Sequence, residues 1–331
     1  MVNPFPKITV ITPSFNQADF LEETIRSVLD QNYPNLEYII IDGGSTDNSV
    51  NIIRNYESRL SYWVSEKDNG QSHAINKGLK KASGDIISWL CSDDLYLPDT
   101  LHEVARLFTA NPDVCLLHGK SVLFGNRRKE QTIGGDFKDL PLRYFAVIPY
   151  PQPSSFFRRK VIEDTGMMDE NLHFGMDYDL LVRIALSYPI LPVDQTLSRY
   201  RLHSSSKTVS QLEKFAGDWI RVYSRFLRSV PGTEQIITFM QGHGFYAADA
   251  ISYNHTREFT APELKRINSH FLFNQLVIYY EIYNRKMIHK ILKLIQETDP
   301  KFYKEQNLRK VEIRKNLFPP VIVHFVRTFT R

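Results

Sequence analysis

Residues 83–94 read S-G-D-I-I-S-W-L-C-S-D-D, an apolar run that leads directly into two adjacent carboxylates. We predict a strand over Asp85–Leu90 that is covered on both faces, as central strands of parallel sheets are. Asp93 and Asp94 follow at the strand exit, where the sheet holds their backbone in place. Two fixed carboxylates repel each other and favour a hard dication, for which Mg²⁺ and Mn²⁺ are suited.

Similar apolar runs occur on either side of this one, and amphipathic helical stretches separate them. Asp19 followed by Glu22 resembles a capping box at the start of the first helix. Strands that alternate with helices predict an α/β fold with a mostly parallel, Rossmann-like sheet flanked by helices. The other strands are predicted at Lys7–Thr12, Leu36–Ile41, Leu60–Val64 and Val114–His118, and further helices at Thr46–Tyr56, Ser72–Ala82 and Pro98–Asn111.

The pattern changes in the second half of the chain. Loops rich in Gly and Pro occupy Gly134–Pro153, and a helix returns through Asp177–Ser187. Beyond Ser210 no strand pattern occurs. We therefore predict an α/β domain over residues 1–205 and a helical C-terminal appendage over 206–331. The appendage helices are predicted at Gln211–Val230, Ile236–Tyr253, Pro262–Gln296 and Lys301–Arg314.

The composition is that of an ordinary globular protein, with 331 residues, 42% hydrophobic and 24% charged. Cys91 and Cys115 lie in apolar runs without Cys or His at zinc-ligand spacing, so we expect reduced thiols and no disulfide framework. The start of the chain has no basic leader, and no segment reaches the roughly 18 to 20 apolar residues that span a bilayer. We expect a cytoplasmic protein.

The net charge of +4 conceals an asymmetry between the two parts. Residues 206–331 hold 20 Lys and Arg against 11 Asp and Glu, a net charge of +9, whereas the remainder holds 21 against 26. No nucleic-acid-binding motif accompanies the basic charge, so we expect no nucleic-acid partner. Two interpretations of the appendage stay open. It is a helical lid or homodimer surface, or it makes peripheral contact with an anionic membrane through its charge and the apolar segment Leu317–Phe329.

Polar and acidic groups follow four of the predicted strands. In an open parallel sheet, ligands bind outside the carboxyl ends of the strands. Each exit alone is explained by a turn or a helix cap, whereas four on one edge predict a shared site. With a dication at the acid pair, this edge is suited to a nucleoside diphosphate. The exits are Thr12–Asn16, Asp42–Ser45, Asp68–Gln71 and Cys91–Asp94.

Five runs along the chain, taken in order, resemble glycosyltransferase family 2 over residues 5 to about 205. The resemblance implies a GT-A fold and an inverting transfer of a sugar from a nucleotide-diphosphate sugar to an acceptor hydroxyl. It also implies Mn²⁺ or Mg²⁺ as cofactor and a saccharide or lipid-linked saccharide acceptor, in polysaccharide or glycolipid synthesis. The runs are T-P-S-F-N (12–16), I-I-I-D-G-G-S-T-D-N-S (39–49), D-N-G-Q-S-H-A-I-N-K-G (68–78), S-G-D-I-I-S-W-L-C-S-D-D (83–94) and F-G-M-D-Y-D-L-L-V-R (174–183).

The resemblance implies donor-binding roles for the strand exits. Asp42 would bind the base or the ribose, and Asp68 would hold the nucleoside side of the site. Asp93 would face the ribose or the sugar. The nucleoside pocket would be lined by Thr12, Ser14 and Phe15.

The metal would be bound by Asp94, which matches the last acid of the family's D-x-D element. Ser92 stands where the first acid of that element is found, so the sequence departs from the pattern at this position. His203, in R-Y-R-L-H, would complete the metal shell.

Asp177 matches the general base of the family. An inverting transfer is a single displacement, so a carboxylate must accept the proton of the attacking hydroxyl. Asp179 is expected to cap the helix or orient a neighbour, and Arg183 either supports the structure or contacts phosphate. Position alone suggests an acceptor border formed by Gln152, Ser154 and Arg158.

Three other classes of protein share part of this pattern. A dinucleotide-dependent oxidoreductase needs G-x-G-x-x-G after its first strand, and T-P-S-F-N does not supply it. A sugar nucleotidyltransferase would open with a glycine-rich basic loop, which is also missing. The remaining alternative is a catalytically silent nucleotide-sugar binding protein, against which the presence of both Asp94 and Asp177 argues.

Overall fold

The structure is a computed structural model that describes residues 5–125, 129–135 and 139–317. Its contacts divide the chain into two compact units. One takes Met1–Lys138 and Pro149–Ser206, and the other takes Asp139–Ile148 and Lys207–Arg331. All described strands lie in the first unit.

One sheet contains the nine described strands, in the order β3-β2-β1-β4-β8-β6-β9-β5, with β7 paired to β6. The first four strands are mutually parallel, as predicted, and their bounds agree with the prediction within two residues. The predicted α/β class is confirmed. The strands are β1 (Ile8–Ser14), β2 (Leu36–Asp42), β3 (Tyr62–Ser65), β4 (Ile86–Trp89), β5 (Leu95–Tyr96), β6 (Leu116–Phe124), β7 (Gln131–Ile133), β8 (Ser155–Arg158) and β9 (Ile190–Arg201).

The antiparallel part of the sheet was not predicted. β8 runs antiparallel between β4 and β6, and β9 is parallel to β6 and antiparallel to β5. β8 has only four residues, and the polar residues within β9 obscure its alternation, so both patterns are too weak to indicate strands from sequence. This second half of the sheet brings the end of β9 beside the exit of β4.

Helices cover the sheet and form the second unit. In chain order they are α1 (Ala18–Leu29), α2 (Ser49–Asn55), α3 (Gln71–Leu79), α4 (Thr100–Ala110), α5 (Leu140–Arg143), α6 (Arg159–Thr165), α7 (Met176–Ser187), α8 (Lys207–Ser210), α9 (Leu212–Ser229), α10 (Glu234–Gly242), α11 (Ala261–Glu281), α12 (Arg285–Thr298), α13 (Pro300–Glu305) and α14 (Leu308–Leu317). None of the described helices is long and apolar enough to cross a membrane.

Burial of the central strands and of one face of α1 gives the first unit its core. The Ile39–Ile41 run of β2 is at most 1% exposed, and Leu21, Ile25 and Val28 of α1 are fully buried. Each such side chain contributes roughly 1.5–3 kcal/mol on burial. The predicted capping box is wrong, because α1 begins after Gln17 without a side-chain cap, and Glu22 instead accepts a hydrogen bond from Tyr56.

Three predicted helices of the appendage are shorter or interrupted. The helix expected at Ile236–Tyr253 ends at Gly242, because Gly244 adopts a left-handed conformation. The helix expected at Pro262–Gln296 is divided where Tyr283 has a positive φ and Asn284 caps α12 by accepting from the Met287 N–H. A positive φ at Asn307 divides α13 from α14 in the same way. Apart from Leu317, the predicted apolar segment lies outside the described residues.

Candidate active site

Asp93 and Asp94 lie in the turn after β4 and differ in exposure. Asp94 is 1% exposed, whereas Asp93 is partly exposed. Burial, and then the negative charge of Asp93, raise the pKa of Asp94 well above its usual value, and the backbone N–H of Arg201 acts in the opposite direction. That N–H donates to Asp94 Oδ1 at 2.8 Å, and Oδ2 accepts no hydrogen bond from the described residues.

The acid pair fits a divalent cation. A buried carboxylate is costly unless it is paired, and Asp94 has one oxygen without a donor beside a second negative charge. Asp93 and Asp94 together with Cys91 each offer one ligand atom, and these atoms lie within 4.8 Å of one another. Carboxylate oxygens are the ligands that Mg²⁺ and Mn²⁺ prefer, and a positive charge here would offset both acids.

The end of β9 holds the acid pair in place. His203 is 9% exposed, its Nε2 lies 2.9 Å from Asp93 Oδ2, and its Nδ1 lies 2.8 Å from the Ser205 hydroxyl. Arg201 Nε donates to the Asp93 carbonyl at 2.8 Å, and its guanidinium pairs with Glu23 at 2.5 Å. The structure therefore brings His203 to the predicted site through Asp93. Arg201 was missed, although R-Y-R-L-H contains it.

The residues predicted to line the nucleoside pocket differ in what they offer a ligand. Phe15 is 58% exposed at the end of β1, whereas Thr12 is fully buried and its hydroxyl is 3.0 Å from the Tyr38 hydroxyl. Ser14 is 4% exposed, and its buried hydroxyl has no hydrogen-bond partner among the described residues. Phe15 therefore presents an exposed ring, and the residue before it, Ser14, has a buried hydroxyl without a partner among the described residues.

Asp42 is fully buried at the end of β2 and is surrounded by donors of the protein. Its Oδ2 accepts from the N–H groups of Gly44 and Ser45, at 3.1 and 2.8 Å, and from the Ser65 hydroxyl at 2.7 Å. Its Oδ1 accepts from the Ser45 hydroxyl at 2.5 Å. The structure thus uses Asp42 to fix the 43–45 loop, and its expected contact with base or ribose stays a prediction.

Asp68 lies on the same edge and remains partly exposed. Its Oδ1 accepts from the Gly70 N–H at 2.8 Å, which shapes the loop before α3. Of the two acids expected on the nucleoside side, Asp68 is therefore the one whose carboxylate is accessible.

Asp177 is partly exposed in the first turn of α7, where a negative charge is favourable. Its neighbour Met176 accepts from the Ser72 hydroxyl at 2.8 Å, and the adjacent Gln71 donates to Cys91 Sγ at 3.2 Å. Through α3, the start of α7 is thereby connected to the exit of β4. The structure brings the predicted base to the edge that carries the acid pair.

Asp179 and Arg183 form a buried pair on α7. Asp179 is 2% exposed, and its Oδ2 accepts from Arg183 Nε at 2.9 Å. The same guanidinium donates to the carbonyl groups of Thr165, Gly166 and Met167 at 2.8, 2.8 and 3.0 Å. Arg183 thus ties the end of α6 to α7, which is the structural alternative of the two that the sequence left open.

Two of the three residues predicted to border the acceptor have their polar atoms engaged by the protein itself. Ser154 is fully buried, with its hydroxyl 2.8 Å from that of Ser121 and 2.6 Å from that of Ser198. Arg158 donates to the carbonyl groups of Val114 and Phe108. Gln152 alone stays near the site.

Gln152 is partly exposed and lies on the β4 side of the edge. Its Nε2 donates to the Trp89 carbonyl at 2.9 Å, and its Oε1 lies 3.8 Å from Cys91 Sγ. Its place beside the acceptor stays a prediction.

Comparison with known sequences identifies the first unit. Residues 9–166 match the family described as Glycosyl transferase family 2. An uncharacterized glycosyltransferase of Mycobacterium tuberculosis is 34% identical over 191 residues, which cover 55% of this chain and 70% of the relative. A Bacillus subtilis glycosyltransferase, TuaG, whose name assigns it provisionally to teichuronic acid biosynthesis, is 41% identical over 106 residues, 31% of this chain and 42% of its own.

Solved structures share the fold. S. aureus TarS residues 1–349 in complex with UDP-GlcNAc has a TM-score of 0.61 at 16% identity, covering 98% of this chain and 88% of that one. The mannosyltransferase PcManGT from Pyrobaculum calidifontis, in complex with GDP-Man and Mn²⁺, has a TM-score of 0.55 at 17% identity, covering 99% and 84%. At these identities the likeness shows a shared GT-A fold.

Proposed function

The chain belongs to glycosyltransferase family 2, and we propose that it is a metal-dependent enzyme that transfers a sugar, with inversion, from a nucleotide-diphosphate sugar to an acceptor hydroxyl. The observation that carries the proposal is the Asp93–Asp94 pair, in which Asp94 is buried and one of its oxygens has no donor among the described residues. A divalent cation bound to this pair would offset the negative charge of the two acids and of a donor diphosphate.

In the proposed reaction, the acceptor oxygen bonds to the anomeric carbon while the bond from that carbon to the diphosphate oxygen breaks. The carboxylate of Asp177 takes the acceptor proton as the new bond forms. Mn²⁺ or Mg²⁺, held by Asp94 with Asp93 and His203 beside it, would supply positive charge that stabilises the departing diphosphate. The products are the glycosylated acceptor, the nucleoside diphosphate and the proton left on Asp177.

The nucleoside of the donor would lie at the exits of β1 and β3. The exposed ring of Phe15 provides a surface for stacking against a base, and Asp68 provides a carboxylate for hydrogen bonds. The complexes of TarS with UDP-GlcNAc and of PcManGT with GDP-Man and Mn²⁺ support a nucleotide-sugar donor and a divalent metal.

We place the reaction in the synthesis of a cell-surface polysaccharide or glycolipid, with a saccharide or lipid-linked saccharide as acceptor. The name of TuaG, which refers to teichuronic acid biosynthesis, supports this assignment. A lipid-linked acceptor would require the enzyme to work at the cytoplasmic face of the membrane.

A basic surface on the helical unit supports peripheral contact with such a membrane. On α12, Lys286, His289 and Lys293 are exposed and lie three and four residues apart, so they form one stripe, while Ile288 and Ile291 are buried. Residues 285–310 contain eight Lys and Arg against three Asp and Glu. We call the α12 stripe together with the exposed cations Lys301, Lys304 and Arg309 the basic face.

The acids within the basic face leave most of its charge available. Asp299 is buried and caps α13, and Glu305 pairs with Arg266 at 2.6 Å. Glu297 lies 3.7 Å from Lys293. An exposed stripe that carries Lys286 and Lys293 suits an anionic surface. The alternatives for the helical unit are a homodimer contact and a lid. Cosedimentation with vesicles distinguishes both of them from membrane binding.

The decisive experiment on the reaction is turnover of a nucleotide-sugar panel by the purified protein with Mn²⁺. We expect one donor to release its nucleoside diphosphate slowly in water and faster with a saccharide acceptor. A protein that binds a donor, detected by a rise in unfolding temperature, but releases no diphosphate with any acceptor would be the silent binding protein instead. Binding of no nucleotide sugar would contradict both.

A further inference from the structure

Gly43 and Asp68 meet where β2 and the segment after β3 leave the sheet. A β-carbon at position 43 would lie 2.7 Å from Asp68 Oδ2, 3.0 Å from Cγ and 3.2 Å from Oδ1. These three are the nearest atoms it would meet, and all belong to one side chain. The Asp68 carboxylate therefore occupies the space that any side chain at position 43 would need.

The backbone of Gly43 gives no separate reason for a glycine. Its φ lies outside the left-handed region, so other residues can adopt its conformation. Its N–H donates to the Ser14 carbonyl at 2.8 Å, which holds the strand exit beside β1. The close approach of Asp68 is thus the steric constraint at this position.

The protein fixes the Asp68 carboxylate but satisfies only part of its hydrogen-bonding capacity. Oδ1 accepts from the Gly70 N–H, whereas Oδ2, the oxygen nearest Gly43, accepts no hydrogen bond from the described residues. Asp42 of the same β2 exit accepts four. The unpaired hydroxyl of Ser14 belongs to the strand exit that Gly43 contacts. The unused hydrogen-bonding capacity at this exit is therefore on Asp68 and Ser14.

We propose that Gly43 is a positioning residue for donor binding, because its missing side chain lets the Asp68 carboxylate reach the edge of β2 and accept a hydrogen bond from the nucleoside of the donor. This inference rests on the proposed function, since it assumes a nucleotide donor at this edge. On this proposal, the size of residue 43 at the end of β2 sets the position of Asp68, which lies 25 residues later in the chain.

Replacement of Gly43 by alanine should move Asp68 without disturbing the fold. A contact of 2.7 Å is too short to persist, and the group in the way is the end of a flexible side chain rather than backbone. The carboxylate would swing away and weaken its bond to the Gly70 N–H. A hydrogen bond to a charged group is worth enough that its loss should weaken donor binding by about 10-fold or more.

A four-protein cycle tests this coupling. The unaltered protein, Gly43→Ala, Asp68→Ala and the double variant are titrated calorimetrically with UDP, GDP, dTDP, ADP and CDP in the presence of Mn²⁺. The diphosphate that the unaltered protein binds most tightly is the probe. We expect each single variant to raise Kd about 10-fold and the double variant to match Asp68→Ala, since alanine at position 43 has nothing left to displace.

Two readouts separate positioning from a structural defect. The unfolding temperature without ligand should fall no further in Gly43→Ala than in Asp68→Ala, because both weaken the bond to the Gly70 N–H, and in turnover KM for the donor should rise more than kcat falls. Gly217→Ala is the matched control, because residue 217 lies in α9 and a β-carbon there would meet open space. Its Kd should equal that of the unaltered protein.

Each other outcome overturns a defined statement. A normal Kd for Gly43→Ala alongside a weakened Asp68→Ala, additive losses in the double variant, or a Gly43→Ala protein that fails to fold would overturn the role of Gly43. A normal Kd for Asp68→Ala would overturn the donor role of Asp68. Absence of diphosphate binding by the unaltered protein would contradict the proposed function itself.

Discussion

The backbone N–H of Arg201 donates to Oδ1 of Asp94 at 2.8 Å, across 107 residues of sequence. The contact joins the end of β9 to the exit of β4, and the Arg201 side chain adds a second bond to the Asp93 carbonyl. Among the described residues, Oδ2 of Asp94 has no donor. The end of β9 thus fixes the acid pair while one buried carboxylate oxygen keeps its capacity to bind a cation.

Asp94→Ala should remove metal-dependent turnover. Without its carboxylate the proposed cation loses its buried ligand, and we expect kcat/KM to fall by roughly 100-fold or more. The measurement is diphosphate release with and without a chelator, followed by restoration with Mn²⁺ or Mg²⁺. Asp113→Ala, an exposed acid of the same unit, is the control. Full activity of Asp94→Ala in chelator would sink the metal proposal.

Asp177→Asn should separate donor binding from transfer. The amide keeps nearly the same volume but cannot take the acceptor proton, so transfer should fall by roughly 100-fold or more while donor Kd changes little. Single-turnover transfer and calorimetric donor binding measure the two quantities. Asp179→Asn, two residues along the same helix, should instead lower stability, because it breaks the buried pair with Arg183. Near-normal transfer by Asp177→Asn would show that another group accepts the proton.

Glu37 should make a pH-dependent contribution to stability. Burial raises its pKa, but hydrogen bonds from Lys7, Ser83 and Thr9 together outweigh burial and lower it from an ordinary 4.5 to about 2. Because the folded pKa is the lower one, the stabilisation is complete above the unfolded pKa and is lost as pH falls through about 2. The shift corresponds to roughly 3 kcal/mol.

The measurement for Glu37 is urea unfolding of the unaltered protein and Glu37→Gln between pH 3 and pH 8. The difference in free energy of unfolding should be constant above about pH 5 and should shrink toward pH 3. Glu57→Gln, at an exposed position, is the control. A difference that does not change with pH would mean that the hydrogen bonds to Glu37 do not depend on its charge.

The basic face should bind vesicles that contain anionic lipid. Electrostatic attachment weakens with salt, because screening limits the reach of each charge to about 8 Å at physiological ionic strength. In cosedimentation we expect binding to phosphatidylglycerol vesicles, loss of binding as salt rises, and weaker binding of Lys286→Gln/Lys293→Gln and of a chain that ends before Leu317. Arg54→Gln/Lys80→Gln, at exposed cations of the first unit, should bind normally.

The same cosedimentation samples also test the lid and the homodimer contact as roles of the helical unit. Equal partitioning of all variants, or no binding at all, would favour a lid or homodimer contact. Sedimentation equilibrium of the unaltered protein then decides between those two, since only a homodimer doubles the mass.

The sequence by itself determined the parallel half of the sheet and the edge that carries the site. Runs such as Ile39–Ile41 are apolar throughout, so they are stable only when covered on both faces, and helical crossovers between successive runs favour parallel pairing. That arrangement brings the exits at Ser14, Asp42 and Ser65 into register without any distant contact. The class of fold and the position of the Asp93–Asp94 pair follow from local pattern alone.

Only the tertiary structure decided what each polar side chain at that edge does. Asp42 and Asp68 both follow strands, yet Asp42 is enclosed by donors from the 43–45 loop and Ser65, whereas Asp68 keeps one oxygen unused beside Gly43. A carboxylate binds a ligand only if its neighbours leave an oxygen without a donor, and those neighbours come from other strands and loops. Sequence pattern specifies which runs are buried, but the pairing of polar atoms is set by segments that meet only in the folded chain.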